Sequence, residues 1–453
     1  MKLQLINAPI QEDYIHSIRT GTYPPLSLAS IAAFVKYQNP EVEVSIMDGE
    51  IFSMDTILSK LDADVVGVSA NIMTYEPGLR IAKAAADRGA KVVIGGPFVD
   101  AMADRVVCKR SFVDAVVVGE GELAMSMYIA GTKKDLIPGL VWMENGEVRK
   151  NETHPLLLDS LPLPDYCDLP LPLYFQNYVD RYTGFKPFNG SLAVYSRKGC
   201  IWREKTDGGC VFCMIPHRGM RFRSPQNLWR EIQYFHDEYG VNYFWEVSDT
   251  FTEDDHWIQD FLRTRPNTLD DVAFHLYARP NHVTPRMAKE LKDLNAFEVF
   301  IGAESGNDEI LKNMVKGSKV AHSRRAVEAL AKEGILTILS FVFGLPGETQ
   351  ETLQSTIDLG KELSQYGTVI ETSSSVLLPI PGSPAFRQLM TVSGMKQKHT
   401  SDLLDLEELK KDWAHYFTHV SYDEIVEALQ RTTELFPLNN TFSQVGKQSA
   451  PKC

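Results

Sequence analysis

Short apolar runs of four to eight residues alternate along this chain with longer segments of mixed polarity. Strands that short, separated by helix-length stretches, predict parallel sheets with helices packed between the strands. The chain opens on one such run, Lys2-Leu3-Gln4-Leu5-Ile6-Asn7-Ala8-Pro9, a strand and its turn. Pro24-Pro25-Leu26-Ser27-Leu28 then starts a helix, with proline where a missing amide hydrogen does no harm. Further strands are expected at 42–47, 65–69, 91–94 and 115–118, with helical stretches such as 75–88 between them. Residues 1–150 therefore read as an α/β, doubly wound, Rossmann-like domain.

A second alternation follows. A strand is expected at 191–195, and others end at Phe244-Trp245-Glu246-Val247-Ser248-Asp249, Tyr277-Ala278-Arg279-Pro280, Phe300-Ile301-Gly302-Ala303-Glu304-Ser305-Gly306 and Phe341-Val342-Phe343-Gly344-Leu345-Pro346-Gly347-Glu348. Functional groups of parallel sheets gather at the carboxyl ends of strands, and Glu246, Asp249, Arg279, Glu304 and Glu348 all fall there. Taken one at a time, Asp249, Arg279 and Glu304 also suit helix caps or surface ion pairs.

Between the two alternations, 156–172 is rich in leucine, proline and aspartate, and 151–190 reads as a linker. After Pro384 the pattern changes to helices with charged faces at 402–415 and 422–435, then a polar tail from Asn439, so 391–453 reads as a small helical region. If those helices cap the sheet, Trp413 and Tyr416 neighbour a substrate; otherwise they are core.

Composition narrows the function. At 453 residues the chain holds two or three domains, each with its own core. Forty-six basic against 59 acidic residues give a formal charge of −13, which disfavours a broad nucleic-acid or membrane surface. The local basic run 218–223 reads as a loop and helix-start feature. No apolar run reaches the roughly 18 to 20 residues of a membrane span, and a strand occupies the place of a signal peptide's apolar segment. Few, unevenly placed cysteines suit a reducing cytoplasm.

Half of those cysteines form one group, Cys200-x9-Cys210-x2-Cys213, on the loop after the expected strand 191–195; Cys108, Cys167 and Cys453 lie elsewhere. Three thiolates can hold three irons of a [4Fe–4S] cluster and leave the fourth open. His217 keeps a structural Cys3His zinc site possible. In the first domain, Asp48-Gly49-Glu50, Ser69-Ala70-Asn71, Gly95-Gly96-Pro97 and Gly119-Glu120-Gly121-Glu122 end the strands. Glycine lets backbone approach a ligand closely, so this edge is a candidate cofactor face, or a set of tight turns.

Ser196-Arg197-Lys198-Gly199-Cys200 with Gly209-Cys210-Val211-Phe212-Cys213-Met214-Ile215-Pro216 resembles the cluster loop of radical S-adenosylmethionine (SAM) enzymes. So does the sequel Arg221-Phe222-Arg223-Ser224-Pro225 with its amphipathic helix, as do the four strand ends above and the turn Pro379-Ile380-Pro381-Gly382-Ser383-Pro384. The resemblance implies a partial TIM-type (β/α)6 barrel over 191–390, with Cys200, Cys210 and Cys213 on the cluster. It places Phe212 and Gly344 near the SAM adenine, Glu304 and Ser305 on its amino acid and ribose, and Glu246, Ser248, Asp249 and Arg279 among its contacts. The common family spacing is three residues and then two, so this chain carries six extra residues within 201–209. Gly208 and Gly209 would let the longer loop fold back.

Pro24-Pro25-Leu26, Gly95-Gly96-Pro97 and Gly119-Glu120-Gly121-Glu122 together resemble the cobalamin-binding domain fused to many radical SAM enzymes. Ser69, Gly95, Gly96, Gly119 and Glu120 become the implied contacts. The Asp-x-His-x-x-Gly motif is absent, which argues against histidine ligation to cobalt and not against cobalamin; a domain that keeps the fold without the cofactor is the alternative. The family's chemistry is reductive SAM cleavage to a 5′-deoxyadenosyl radical, fed by an electron donor such as flavodoxin or ferredoxin. With cobalamin as methyl carrier, the implied reaction is methylation of an unactivated carbon of a small molecule. Rearrangement or cyclisation, aminocarboxypropyl transfer, and a zinc-stabilised binding protein are the rivals, and the substrate is not legible.

Overall fold

The computed structural model describes residues 1–10, 21–166, 168–182, 186–206, 208–215 and 219–436. Cys167, His217, Arg218, Cys453 and the tail from Asn439 lie outside them. The chain divides into two compact units: Met1–Ala193 with Ile215–His217 and His399–Leu404, and Val194–Met214 with Arg218–Lys398 and Asp405–Cys453.

The first unit is built on a seven-stranded sheet. Its strands are β1 (Lys2–Asn7), β2 (Glu43–Asp48), β3 (Val65–Ser69), β4 (Lys91–Gly95), β5 (Ala115–Val117), β6 (Leu140–Glu144) and β7 (Glu147–Lys150), in the order β2-β1-β3-β4-β5-β6-β7. The pairs from β2 to β5 are parallel. Valine and isoleucine dominate the central strands, and Val66, Val68, Val92, Val93 and Ile94 are buried, as strands covered on both faces require. The order reverses between β1 and β3, and in such sheets ligands bind beyond the carboxyl ends at that reversal.

Three features of this unit were not read from the sequence. β6 and β7 form an antiparallel hairpin closed by Asn145 (φ 51°) and Gly146 (φ 82°). Asn-Gly is the residue pair that a two-residue hairpin with positive φ prefers, but the polar β7 hides the strand pattern. The expected linker contains a helix, Leu171–Tyr182, that buries Tyr174, Tyr178 and Tyr182 on one face. The Tyr174 hydroxyl donates to Asp48 at 2.6 Å.

The third feature is the return of 399–404 to this unit. Asp402, 1% exposed, accepts from Arg110 at 2.7 and 3.0 Å and from the Tyr75 hydroxyl at 2.9 Å. The expected helix start at 402 is thereby corrected: Asp405 caps a helix that begins at Leu406. Burial opposes ionisation of Asp402, but its bonds to Arg110 and Tyr75 outweigh that and hold its pKa below the usual carboxylate range. We expect Asp402→Ala to destabilise the first unit by about 2–4 kcal/mol, because it strands two polar partners. In wild type this contribution is complete at neutral pH, where the carboxylate is ionised in both states. It is lost as pH falls through the lowered folded-state pKa. Urea denaturation at pH 7 and at acid pH checks both: the gap between wild type and variant must shrink on acidification.

The second unit holds β8 (Leu192–Val194), β9 (Arg197–Lys198), β10 (Arg221–Phe222), β11 (Tyr243–Glu246), β12 (Ala273–Ala278), β13 (Ala296–Glu304), β14 (Leu336–Phe343), β15 (Val369–Thr372) and β16 (Ser375–Val376). Its main sheet runs β15-β14-β13-β12-β11-β8, with β16 beside β14, and curls into a parallel half-barrel. Each expected strand end coincides with the carboxyl end of one of these strands. Helices Pro225–Tyr239, Asp255–Arg263, Pro285–Asp293, Val320–Lys332 and Gln350–Leu363 connect successive strands. Ser224, Asp254, Thr284 and Thr349 cap four of them through side-chain oxygens, as helix starts favour. Among the described residues no helix is long and apolar enough to cross a membrane.

The terminal helices are Leu406–Phe417 and Tyr422–Thr433. Trp413 is buried, stacks on Phe417 with ring centroids 4.3 Å apart, and donates to the Gly344 carbonyl at 2.7 Å. It is a core residue that fixes the end of β14, whereas Tyr416 is exposed.

Candidate active site

At the first unit's edge, Ser69, Gly95, Gly96, Gly119 and Glu120 all lie at or just beyond the carboxyl ends of β3, β4 and β5, and all are half-buried. Gly96 has φ 113°, and a Cβ there would stand 2.4 Å from the Ala70 carbonyl, so no other residue fits. Glu120 precedes the helix Gly121–Ile129. The Gly119 amide donates to Asp100 at 3.1 Å. Burial pushes the Asp100 carboxyl up to about 7, and its Oδ1 is buried without a hydrogen-bond partner. An unsatisfied carboxyl oxygen beside a glycine turn suits the amide-rich rim of a corrin, so this edge fits cobalamin. Asp100 was missed in the sequence because it follows the Gly95-Gly96-Pro97 turn by three residues, at the end of the short helix Pro97–Asp100, and only the fold brings it beside Gly119.

In the second unit, the cysteine loop begins where β8 ends. Its backbone amides are held from the end of β11 and the segment after it. Ser196 N donates to Glu246 at 2.6 Å and to Ser248 at 3.1 Å, and Arg197 N to Ser248 at 3.1 Å. Gly199 N donates to Asp249 at 3.0 Å, and Ile201 N to Glu253 at 3.1 Å. Three of the expected SAM contacts, Glu246, Ser248 and Asp249, therefore already clamp the loop. Burial pushes Asp249 up to about 6. Glu253 is a fourth member of this clamp that no motif marked.

The loop's far side is held too. Val211 N donates to the Met314 carbonyl at 3.0 Å, and Ala385 N to the Val211 carbonyl at 2.8 Å. The latter bond ties the loop to the helix Pro384–Leu389, which the proline turn at 379–384 introduces. Cys213 N donates to the Cys210 carbonyl at 2.9 Å, closing a tight turn. Phe212 and Cys213 are half-buried there. Gly208 (φ 94°) and Gly209 (φ 79°) both take positive φ, which is how the extra residues fold back.

Those extra residues form a short helix, Ile201–Lys205, between Cys200 and the Cys210–Cys213 turn. The Cys200 thiol donates to Glu253 at 3.4 Å; burial and that carboxylate push it up to about 12. None of Cys200, Cys210 and Cys213 is in a disulfide, but among the described residues no three His, Cys, Asp or Glu side chains converge closely enough to hold a metal ion. The donor set fits a cluster in its chemistry and its sharing of one clamped loop.

Around the ends of β12 and β13 a second constellation forms. Glu304 takes φ 63°, unusual for a residue with a Cβ and a mark of functional strain. It accepts from Lys316 at 2.6 Å and from Ser340 at 3.2 Å, with both members of the ion pair buried. Arg279 donates to the Lys316 carbonyl and lies 5.2 Å over the ring of Trp202. Trp202, from the inserted helix, donates to the Val315 carbonyl at 2.6 Å. The insertion thus reaches the Glu304–Lys316–Arg279 group. Ser305 is fully buried and bonds Thr356 and the Asn307 amide, a turn-fixing role. Gly344 (φ 81°) donates to Glu348 at 2.6 Å, whose carboxyl burial pushes up to about 8. Lys316 and Trp202 lay outside every motif and were missed.

A doubly wound domain with a glycine-lined carboxyl edge, followed by a half-barrel whose first loop carries three cysteines, defines a radical SAM enzyme with a cobalamin-binding-type domain. Comparison with known proteins agrees. The model of the radical SAM superfamily matches residues 199–360, and that of the B12 binding domain matches 17–128. An uncharacterized methyltransferase of Pyrococcus horikoshii is 30% identical over 400 residues, covering 84% of this chain and 82% of that one. The cobalamin-dependent SAM radical enzyme OxsB, solved with aqua-cobalamin bound, superposes with TM-score 0.71 at 16% identity over 94% of this chain and 66% of that one. The radical SAM methyltransferase TsrM of Kitasatospora setae, solved with cobalamin and a [4Fe–4S] cluster, gives TM-score 0.63 at 18% identity over 86% and 75%. The chain belongs to the radical SAM enzymes that carry a B12 binding domain, and the cofactors these domains imply are a [4Fe–4S] cluster, SAM and cobalamin.

Proposed function

We propose that this enzyme methylates an unactivated carbon of a small molecule, with electrons from a flavodoxin- or ferredoxin-type donor. The observation that carries the reading is the joining of the two sites in one chain, together with a methyltransferase relative matched over most of its length. When bound, the cluster and SAM supply the radical that activates carbon, and cobalamin supplies the methyl carrier.

The chain's own residues do the rest. Cys200, Cys210 and Cys213 are the ligand set, and Glu246, Ser248, Asp249 and Glu253 hold the amides of their loop. Glu304, Lys316 and Arg279 form the polar end that receives the charged part of SAM, and Phe212 and Gly344 flank its adenine. Residues 1–150 bind cobalamin through Ser69, Gly95, Gly96, Gly119 and Glu120, and 191–390 carry the radical chemistry.

The test is product analysis with methyl-deuterated SAM, a one-electron reductant and a small-molecule extract. S-adenosylhomocysteine formed together with 5′-deoxyadenosine, and a deuterated methyl group in a new product, is the expected outcome. 5′-Deoxyadenosine without S-adenosylhomocysteine would mean rearrangement. Methylthioadenosine would mean aminocarboxypropyl transfer.

A further inference from the structure

The half-barrel sheet has two unlike faces. Phe244 and Phe274 face the helices, where Phe274 meets Trp229 at 6.0 Å and Phe261 at 6.1 Å. Alternate strand residues point the opposite way, into the hollow: Tyr243 and Trp245 on β11, His275 and Tyr277 on β12, Glu298 and Phe300 on β13. The strand register sets Trp245 beside His275, His275 beside Glu298, and Tyr277 beside Phe300.

Three of these side chains form a continuous aromatic wall. Ring centroids of Trp245 and Tyr277 are 6.3 Å apart, and those of Tyr277 and Phe300 5.0 Å. Trp245 is the one residue of β11 that is not buried, and Tyr277 the one residue of β12. Phe300 is half-buried as well. Behind them His275, 1% exposed, lies 5.9 Å from the Trp245 ring and 5.3 Å from that of Tyr277. Its Nδ1 is 2.8 Å from Glu298 Oε1, which also accepts the Tyr243 hydroxyl at 2.6 Å.

A fully buried carboxylate is expensive where an apolar side chain would pack as well. Here it lies 2.8 Å from the imidazole, and the imidazole braces two of the three half-buried rings. We propose that Trp245, Tyr277 and Phe300 are the specificity-determining surface for the substrate, taking a planar conjugated ring, with His275, Glu298 and Tyr243 as positioning residues. This rests on the small-molecule methyltransferase reading and names its substrate class. The rings are tilted by 40° and 54° to one another, and aromatic faces prefer another π-system to a saturated ring of the same outline.

The experiment uses the full-length reconstituted protein and two probes of matched shape, benzamide and cyclohexanecarboxamide, with indole as a larger ring, followed by saturation-transfer NMR. Benzamide and indole should receive saturation and cyclohexanecarboxamide little. Trp245→Leu and Tyr277→Leu should each reduce the ring signals about five-fold or more while iron content and SAM binding stay unchanged, and Tyr277→Phe should retain them. In protein labelled with 5-fluorotryptophan, the Trp245 resonance should shift with indole. It should remain a single line in Glu298→Gln and broaden in Glu298→Leu. Equal binding of the saturated probe, undiminished ring signals in both leucine variants, or loss of SAM binding along with ring binding would overturn the proposal. Failure of the underlying reading shows separately, as wild-type protein that lacks iron–sulfur absorbance or releases no S-adenosylhomocysteine.

Discussion

Cys213→Ala is expected to leave the reconstituted protein without a stable cluster and to lower SAM cleavage by roughly 10³-fold or more, about 4 kcal/mol in barrier. The thiol is half-buried in the turn closed by its own amide on the Cys210 carbonyl, so alanine removes the ligand without disturbing that backbone bond. With three thiolates for three irons, losing one leaves a second iron unanchored. Exposed Cys108 is the control; Cys108→Ala should keep about four irons per chain. Cys200→Ala bears on the insertion. Its sulfur bonds Glu253 and is separated from the turn by the helix Ile201–Lys205, so cluster assembly requires that thiol to leave the carboxylate. Iron and sulfide analysis after anaerobic reconstitution checks all three. Full iron content and SAM cleavage in Cys213→Ala would show the ligand set to be wrong.

Arg223→Ala is expected to destabilise the half-barrel by about 3–5 kcal/mol, the cost of breaking a buried ion pair from one side. Arg223 and Glu231 are 4% and 3% exposed and meet at 2.9 Å. The same arginine bonds Asn227 at 2.9 Å and accepts from the Trp257 indole at 2.7 Å through its carbonyl. Its amide donates to the Ser196 carbonyl at 2.8 Å, next to the cysteine loop. The variant therefore strands Glu231 in the core and removes the guanidinium's bond to the Tyr195 carbonyl at 3.4 Å, at the root of that loop, so iron retention should fall along with stability. Urea unfolding followed by tryptophan fluorescence measures the first effect. The double substitution Arg223→Met with Glu231→Met should recover most of the lost stability, because no charge is then left alone.

The elements were legible where hydrophobic period and turn chemistry agreed. Val65–Ser69 and Lys91–Gly95 are apolar runs bounded by polar or glycine turns, and the strands form there. The β6–β7 hairpin was not legible, because Glu147–Lys150 carries no apolar alternation and only Asn145-Gly146 announces it. The helix Leu171–Tyr182 was hidden by the proline-rich approach to it, although its tyrosines recur at helical spacing.

The site divides in the same way. Chemistry-bearing residues at strand ends could be named because topology gathers them there, but not their partners. Glu304 was found, yet Lys316, which holds it, comes from a loop with no motif. Glu246, Ser248 and Asp249 were found as polar residues, while their grip on the loop amides is a matter of backbone geometry that residue type does not encode. The extra residues were visible as an altered spacing; their delivery of Trp202 to Arg279 became visible only in three dimensions.

The most direct test of the central claim is an anaerobic absorbance spectrum of protein reconstituted with iron, sulfide and hydroxocobalamin, after removal of unbound cofactor. The account predicts a broad iron–sulfur band together with about one cobalamin per chain, both retained through gel filtration. An iron–sulfur band without cobalamin would contradict it, leaving the first unit a scaffold and the chemistry dependent on SAM alone.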